Sequence, residues 1–229
     1  MTTTTRNATH TPIEKAGPHA AAKYATEAIG TLFLVFTIGA SVRGGDPLAP
    51  LGIGAALMAM IYAGGHVSGA HYNPAVTLAV LVRRRIGLHD AVGYWIAQIG
   101  GALLGAAIVA AVVAPGQAKP LALSGHAMLA AAVAELLFTF ALCYVVLNVA
   151  TSKDHPGNAF YGLAIGFTVL AGAVATGRIS GGVLNPAVAL AGVAMGTISG
   201  SMMWTYVAAQ IVAAVAAGIA FRTINPNDQ

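Results

Sequence analysis

Apolar residues run along this chain in long blocks, and nearly all of the charge falls in the short segments between them. No Asp, Glu, Lys or Arg lies between Asp46 and Arg83, between Asp90 and Lys119, or between Arg178 and Arg222. A helix of about 20 apolar residues is long enough to cross the roughly 30 Å hydrocarbon core of a bilayer. The blocks predict six full spans, over 20–42, 49–67, 90–114, 126–149, 159–177 and 201–222. Two further apolar stretches, 73–82 and 185–196, are too short to cross, and each opens on Asn-Pro (Asn73-Pro74 and Asn185-Pro186). Asn is a favoured N-cap and Pro is preorganised for the first helical position, so both stretches read as half-helices that begin inside the membrane. Ser68-Gly69-Ala70-His71-Tyr72 and Ser180-Gly181-Gly182-Val183-Leu184 precede them. Non-helical backbone at that depth is tolerated where protein or a water-filled cavity satisfies it, which points to a pore.

The chain also repeats itself. SGAHYNPAVTLAV at 68–80 matches SGGVLNPAVALAG at 180–192. Tyr94 and Tyr206 each follow their box asparagine by 21 residues, and Gln98 and Gln210 by 25. Glu27 and Glu135 each sit early in the span that begins a half. Three spans per half is an odd number, so the second copy enters from the opposite side. That is the inverted-repeat plan, with its half-helices meeting near the midplane. The halves cover about 19–115 and 125–222 of a channel domain at 19–222, between a disordered N-terminal tail over 1–18 and a C-terminal tail over 223–229.

Composition strengthens the membrane assignment: 57% of the 229 residues are hydrophobic and only 8% charged, against about a quarter charged in a soluble domain. This excludes a nucleic-acid module and an ordinary soluble enzyme. The net charge of +4 reflects loop placement rather than an anionic partner. With the N-terminus inside, Arg6, Lys15, Lys23, Arg83, Arg84, Arg85, Lys153 and Arg222 are cytoplasmic, while Arg43, Lys119 and Arg178 are outside, so both termini are expected in the cytoplasm. The tail lacks the apolar stretch of a signal peptide, and the compact length favours a bacterial inner membrane. The single cysteine, Cys143, lies in an apolar run and reads as a core thiol.

Two half-helices meeting by their N-termini place two positive dipole ends, roughly half an elementary charge each, at the centre of one channel. A cation that loses hydration there is rejected, and neutral water is not. Asn73 and Asn185 can cap the helix starts while turning amide N–H donors to the pore, so that a water held by both points its hydrogens toward the two exits. Carbonyls of Gly69, Ala70, His71, Gly181, Gly182 and Val183 are expected to line the pore as acceptors.

The paired Asn-Pro-Ala boxes, Asn73-Pro74-Ala75 and Asn185-Pro186-Ala187, resemble those of the aquaporins, or major intrinsic proteins, and the resemblance covers residues 20–222. It implies an all-α membrane bundle of six transmembrane helices and two re-entrant half-helices, assembled as a homotetramer with one pore per subunit. It implies that Glu27 and Glu135 are buried carboxylates supporting the pore loops, and that His66 lies near the cytoplasmic mouth. The family's narrowest ring falls on Ile53, Ala173, Gly182 and Val188. Here its usual aromatic and histidine are absent and valine stands where arginine is usual, which resembles the plant tonoplast type. Ala189 replaces the Asp usual in glycerol facilitators.

The resemblance and this wide, apolar ring together imply a passive channel for water and small neutral solutes such as urea, ammonia, hydrogen peroxide and, at the margin, glycerol, with no metal and no cofactor. Arg178, seven residues before Asn185, reads as a solvated loop charge, with a swing toward the ring as the alternative. A strict water channel, a secondary transporter of a small solute and a purely structural role stay open. A transporter would place ionisable residues at its midplane, and inside their ends the spans hold only Glu27 and Glu135 as acids. A membrane enzyme would need a nucleophile and base, or a metal cluster, facing one cavity, and no such constellation stands out.

Overall fold

Among the described residues, 19–116 and 118–228, the computed structural model holds eight α-helices. They are α1 (Ala20–Gly44), α2 (Ala49–Ser68), α3 (Pro74–Val82), α4 (Leu88–Ile108), α5 (Gly125–Val146), α6 (Tyr161–Thr176), α7 (Pro186–Ala194) and α8 (Gly200–Ile224). A single π turn extends α4 through Val113 and α5 through Thr151. The predicted tail over 1–18 lies outside the described residues.

Five helices are long and apolar enough to cross a membrane. The sixth expected span, α6, has only 16 residues, about 24 Å of helix. Its path nevertheless continues without a break. Gly177, Ser180 and Gly181 donate their N–H groups to the carbonyls of Ala173, Thr176 and Gly177 at 3.0, 2.8 and 3.1 Å. The glycines around Arg178 loosen the regular helix there without ending its hydrogen bonding.

Large apolar side chains cover the outside of the bundle as well as its core. Ile96, Val112, Leu137, Trp204 and Val212 face outward from α4, α5 and α8, whereas Glu27, Gln98, Glu135 and Gln210 are wholly buried. Lipid solvates the outer face, and polar groups can be satisfied only inside. Cys143 is buried in the core.

The two halves meet through α2 and α6 at a crossing that leaves no room for side chains. A Cβ on Gly54 would lie 2.8 Å from the Gly166 carbonyl oxygen, and one on Gly166 would lie 2.7 Å from the Gly54 carbonyl oxygen. These glycines are 112 residues apart, the separation of the two boxes. The reciprocal contact therefore marks the local two-fold axis of the inverted repeat.

The half-helices α3 and α7 have nine residues each and start at Pro74 and Pro186. They run from the middle of the bundle to opposite faces, here termed the α3 face and the α7 face.

Candidate functional site

Each loop leading into a half-helix is held in a strained path by one buried carboxylate. In the first loop, Glu27 Oε1 accepts from the Ser68 hydroxyl at 2.7 Å and the His71 N–H at 2.9 Å. Its Oε2 accepts from the Tyr72 N–H at 2.7 Å and Gln98 Nε2 at 2.8 Å. In the second loop, Glu135 repeats the pattern. Oε1 accepts from the Ser180 hydroxyl at 2.7 Å and the Val183 N–H at 2.9 Å, and Oε2 from the Leu184 N–H at 2.7 Å and Gln210 Nε2 at 2.8 Å. Tyr94 and Tyr206 complete the correspondence, their hydroxyls donating to the Ser68 and Ser180 carbonyls, each at 2.6 Å.

These bonds offset a real backbone cost. Ala70, Tyr72 and Leu184 sit at φ of 53°, 50° and 53°, a left-handed conformation worth about 1–2 kcal/mol against an L side chain. Gly182, at φ 61°, takes the position equivalent to Ala70, and a Cβ there would also lie 3.0 Å from Ala173 Cα. The alternating backbone lets N–H groups turn to the carboxylate while carbonyls are free to turn the other way.

The helix starts are linked to one another across the repeat. Asn73 Oδ1 caps the Ala75 N–H at 2.9 Å, and its Nδ2 donates to the Leu184 carbonyl at 2.9 Å. Asn185 Oδ1 caps the Ala187 N–H at 2.9 Å, and its Nδ2 donates to the Tyr72 carbonyl at 2.9 Å. Each amide thus holds its own helix start and the opposite loop at once. An amide carries two N–H donors, and both asparagines line a cavity of about 840 Å³ that opens toward the α7 face, so the second donor of each remains for its contents.

All four ring positions, Ile53, Ala173, Gly182 and Val188, line that cavity, as do Ala70, His71, Gly181 and Val183. A second cavity of about 620 Å³ lies toward the α3 face and is lined by Gly69, Lys23, Arg85 and Lys153 among others. His71 and Val146 are the residues common to both linings, so the two cavities approach each other at this pair. The His71 ring is held there by Thr77 Oγ1 at 3.0 Å from Nδ1 and by an edge contact with Tyr94.

The sequence profile of the family described as Major intrinsic protein matches residues 14–221. The chain belongs to that family. It is 39% identical to Glycerol uptake facilitator protein-like 6 of Lactiplantibacillus plantarum over 219 residues, covering 90% of this chain and 99% of that protein. It is 36% identical to Aquaporin NIP2-1 of Oryza sativa subsp. japonica, covering 82% and 70% of the two chains. The solved structure of the aquaglyceroporin from Plasmodium falciparum shares the fold, with a TM-score of 0.74 at 23% identity over 91% of this chain and 98% of that one. The protein is therefore a multi-pass integral membrane protein with the aquaporin fold.

Two of the residues singled out in the sequence lie outside both cavity linings of this major intrinsic protein. His66 is exposed and lines neither cavity, because it lies across α2 from the buried Ile61, Gly64 and Ser68. Arg178 is exposed beyond α6 and is likewise outside both linings. Several contributors carry no sequence signal of their own role. The Tyr72 and Leu184 carbonyls act through backbone alone, and Ser68 and Ser180 stand in the sequence only as the first residues of the segments before the half-helices. Gln98 and Gln210 show in the sequence only as repeat spacings. On the α3 face, Arg83 and Arg85 each donate from Nη2 to Asp228 Oδ1, at 2.6 and 3.1 Å, across more than 140 residues of sequence.

Proposed function

We propose that this protein is a passive channel for water and small neutral solutes, urea, ammonia and hydrogen peroxide among them, with glycerol at its upper size limit. The observation that carries this reading is the reciprocal Asn73–Asn185 arrangement, in which two opposed helix N-termini and two amide donors face one cavity. Water oxygen accepts from the amides there, and its hydrogens point away along both arms, which interrupts a hydrogen-bonded proton wire. The two dipole ends oppose cations at the same point. The loop carbonyls of Gly69, Ala70, His71, Gly181, Gly182 and Val183 supply acceptors on either side of the pair. Glu27 and Glu135 act as supports, each with four donors committed to it, rather than as ion sites.

The Ile53, Ala173, Gly182 and Val188 ring sets solute range. None of these side chains offers a hydrogen bond, so a solute is limited by size and by the carbonyls, which supports passage of neutral molecules larger than water. The relatives named for glycerol uptake and as aquaporins agree with this class of cargo. The α3 face, with Arg83, Arg84, Arg85 and Lys153, is the cytoplasmic face, and the α7 face is outside. The channel sits in a bacterial inner membrane as a homotetramer with one pore per subunit.

Stopped-flow light scattering on proteoliposomes tests this. An impermeant osmolyte should cause fast shrinkage, and a urea gradient fast shrinkage with fast re-swelling. Shrinkage without re-swelling would assign a strict water channel, and no gain over empty liposomes would refute channel function.

A further inference from the structure

The Ile53, Ala173, Gly182 and Val188 ring carries no fixed charge, yet the wall of the same cavity carries two cations. Arg43, in the last turn of α1, and Lys119, in the segment before α5, both line the 840 Å³ cavity. Among the described residues of that lining there is no Asp or Glu. The nearest acid in sequence to Arg43, Asp46, turns to cap the Leu48 N–H at 2.8 Å and is not part of the wall.

The Arg43 guanidinium is held rather than loosely solvated. Nη1 donates to the Met195 carbonyl at 3.3 Å and Nη2 to the Gly116 carbonyl. Met195 is the C-cap of α7, so Arg43 is bound where the negative end of that half-helix lies. Nine residues of helix put this point about 13 Å outward from the asparagine pair. The segment carrying Lys119 is fixed to the same place, with the Leu121 N–H donating to the Thr197 carbonyl and the Ser199 N–H to the Leu121 carbonyl, both at 2.9 Å. A guanidinium has five N–H donors, and the two carbonyls take two of them.

We propose that Arg43, seconded by Lys119, is the charge-selecting element of the outer vestibule, excluding cations before they reach the apolar ring. This rests on the channel reading above. The wall around these charges is apolar protein, which focuses their field into the entrance. One unit charge about 10 Å from a passing cation, at an effective dielectric near 20, changes that cation's occupancy by roughly tenfold. Neutral solutes are unaffected by that field, so this element separates solutes by charge while the ring separates them by size.

Guanidinium and urea are close in shape and differ in charge, which makes them the probes. In proteoliposomes the wild type should pass water and urea and exclude guanidinium. Arg43→Gln should raise guanidinium entry, and proton leak under a potassium diffusion potential, about tenfold, with water and urea flux held within about twofold. Arg43→Lys should restore exclusion. Lys119→Gln, on an exposed segment, should give a smaller rise, and raising the salt from 0.01 to 1 M should weaken wild-type exclusion as the screening length falls from about 30 to 3 Å. If Arg43→Gln disturbs folding, the lysine variant and the salt series decide. Wild-type exclusion that ignores both salt and Lys119→Gln, or an Arg43→Gln variant with normal water flux and unchanged cation and proton leak, would overturn the proposal. A wild type that passes urea but no more slowly admits guanidinium would overturn it too. A wild type without water flux would instead refute the channel reading.

Discussion

Replacing Glu135 by Gln keeps the side chain's length and removes its charge, so it isolates what the carboxylate does for the second pore loop. Four donors converge on Glu135, from Ser180, Val183, Leu184 and Gln210. An amide has one acceptor oxygen, and its NH2 must face one pair of these donors. Facing Leu184 and Gln210, it can be met by a flip of Gln210, whose Oε1 is buried without a partner in the wild type. The Leu184 N–H then stays orphaned. Facing Ser180 and Val183, it can be met by the rotating hydroxyl, and the Val183 N–H is orphaned instead. Either way one buried backbone N–H is lost, at about 1–3 kcal/mol, and three charge-assisted bonds become neutral at about 1 kcal/mol each. Burying an amide in place of a carboxylate recovers part of this in desolvation, leaving a net destabilisation of about 2–3 kcal/mol. Glu135→Ala recovers the same desolvation but orphans two backbone N–H groups and Gln210, and should cost about 5 kcal/mol or more. The assay pairs thermal unfolding in detergent with osmotic water permeability. The expected order is wild type, then Gln, then Ala in both, because Leu184 at φ 53° is held mainly by this carboxylate. Equal melting of the Gln and Ala variants, or full permeability in both, would refute the idea that Glu135 positions the loop.

Val188→Arg places a fixed donor in the ring and should lower urea flux severalfold more than water flux, and equal loss of both would count against the ring as the solute filter. Gly166→Ala brings a methyl group to 2.7 Å from the Gly54 carbonyl oxygen, so α2 and α6 must separate at a cost of about 1–3 kcal/mol, read as a lowered melting temperature. Asp228 is tied to Arg83, Arg85 and the Lys153 N–H. Burial alone would raise its pKa, but the Lys153 N–H, the Ser152 hydroxyl and Arg83 outweigh this and lower it from 3.8 to about 2. Because the folded value is the lower one, this anchor contributes fully above pH 4 and is lost as pH falls from about 4 through 2. Limited proteolysis of the 152–158 segment should therefore be unchanged from pH 7 to 4 and rise below that, and Asp228→Asn should show the raised susceptibility already at pH 7.

The two halves differ in how much of their work the sequence announces. Long apolar blocks, charge-free inside the ends of α2, α4 and α8 and broken by a single buried glutamate in α1 and α5, together with the Asn-Pro starts, place these helices and both half-helices within a few residues, because membrane thickness and helix rise leave few alternatives. α6, at Tyr161–Thr176, falls within two residues of its expected span as well, and what the sequence does not announce is that the backbone runs on from it through hydrogen-bonded turns past Arg178. The paired Glu, Tyr and Gln residues were legible as repeat spacings, but their convergence on two loops is a property of folding the repeat back on itself. Long-range pairs such as Arg83–Asp228 leave no periodic trace at all.

The repeat also shows where function departs from symmetry. Glu27 and Glu135, Ser68 and Ser180, Tyr94 and Tyr206, and Gln98 and Gln210 correspond residue for residue and keep the same partners to within 0.1 Å. Beyond the Asn73–Asn185 pair the correspondence breaks down beside the cavity. His71 is matched by Val183 and Thr77 by Ala189. In the first loop Thr77 Oγ1 takes a hydrogen bond from Gln98 at 3.0 Å and meets His71 Nδ1 at 3.0 Å, a polar path from the buried carboxylate to the residue shared by the two cavity walls. In the second loop valine and alanine remove it, and polar contacts at the α7 face come instead from Arg43 and Lys119 farther out. A symmetric scaffold thus carries unlike cavity walls, polar at His71 between the two cavities and apolar at Ile53, Ala173, Gly182 and Val188, with Arg43 and Lys119 farther out. Selectivity should therefore change with substitutions at these unpaired positions, while substitutions at the paired ones should act on stability and loop position first.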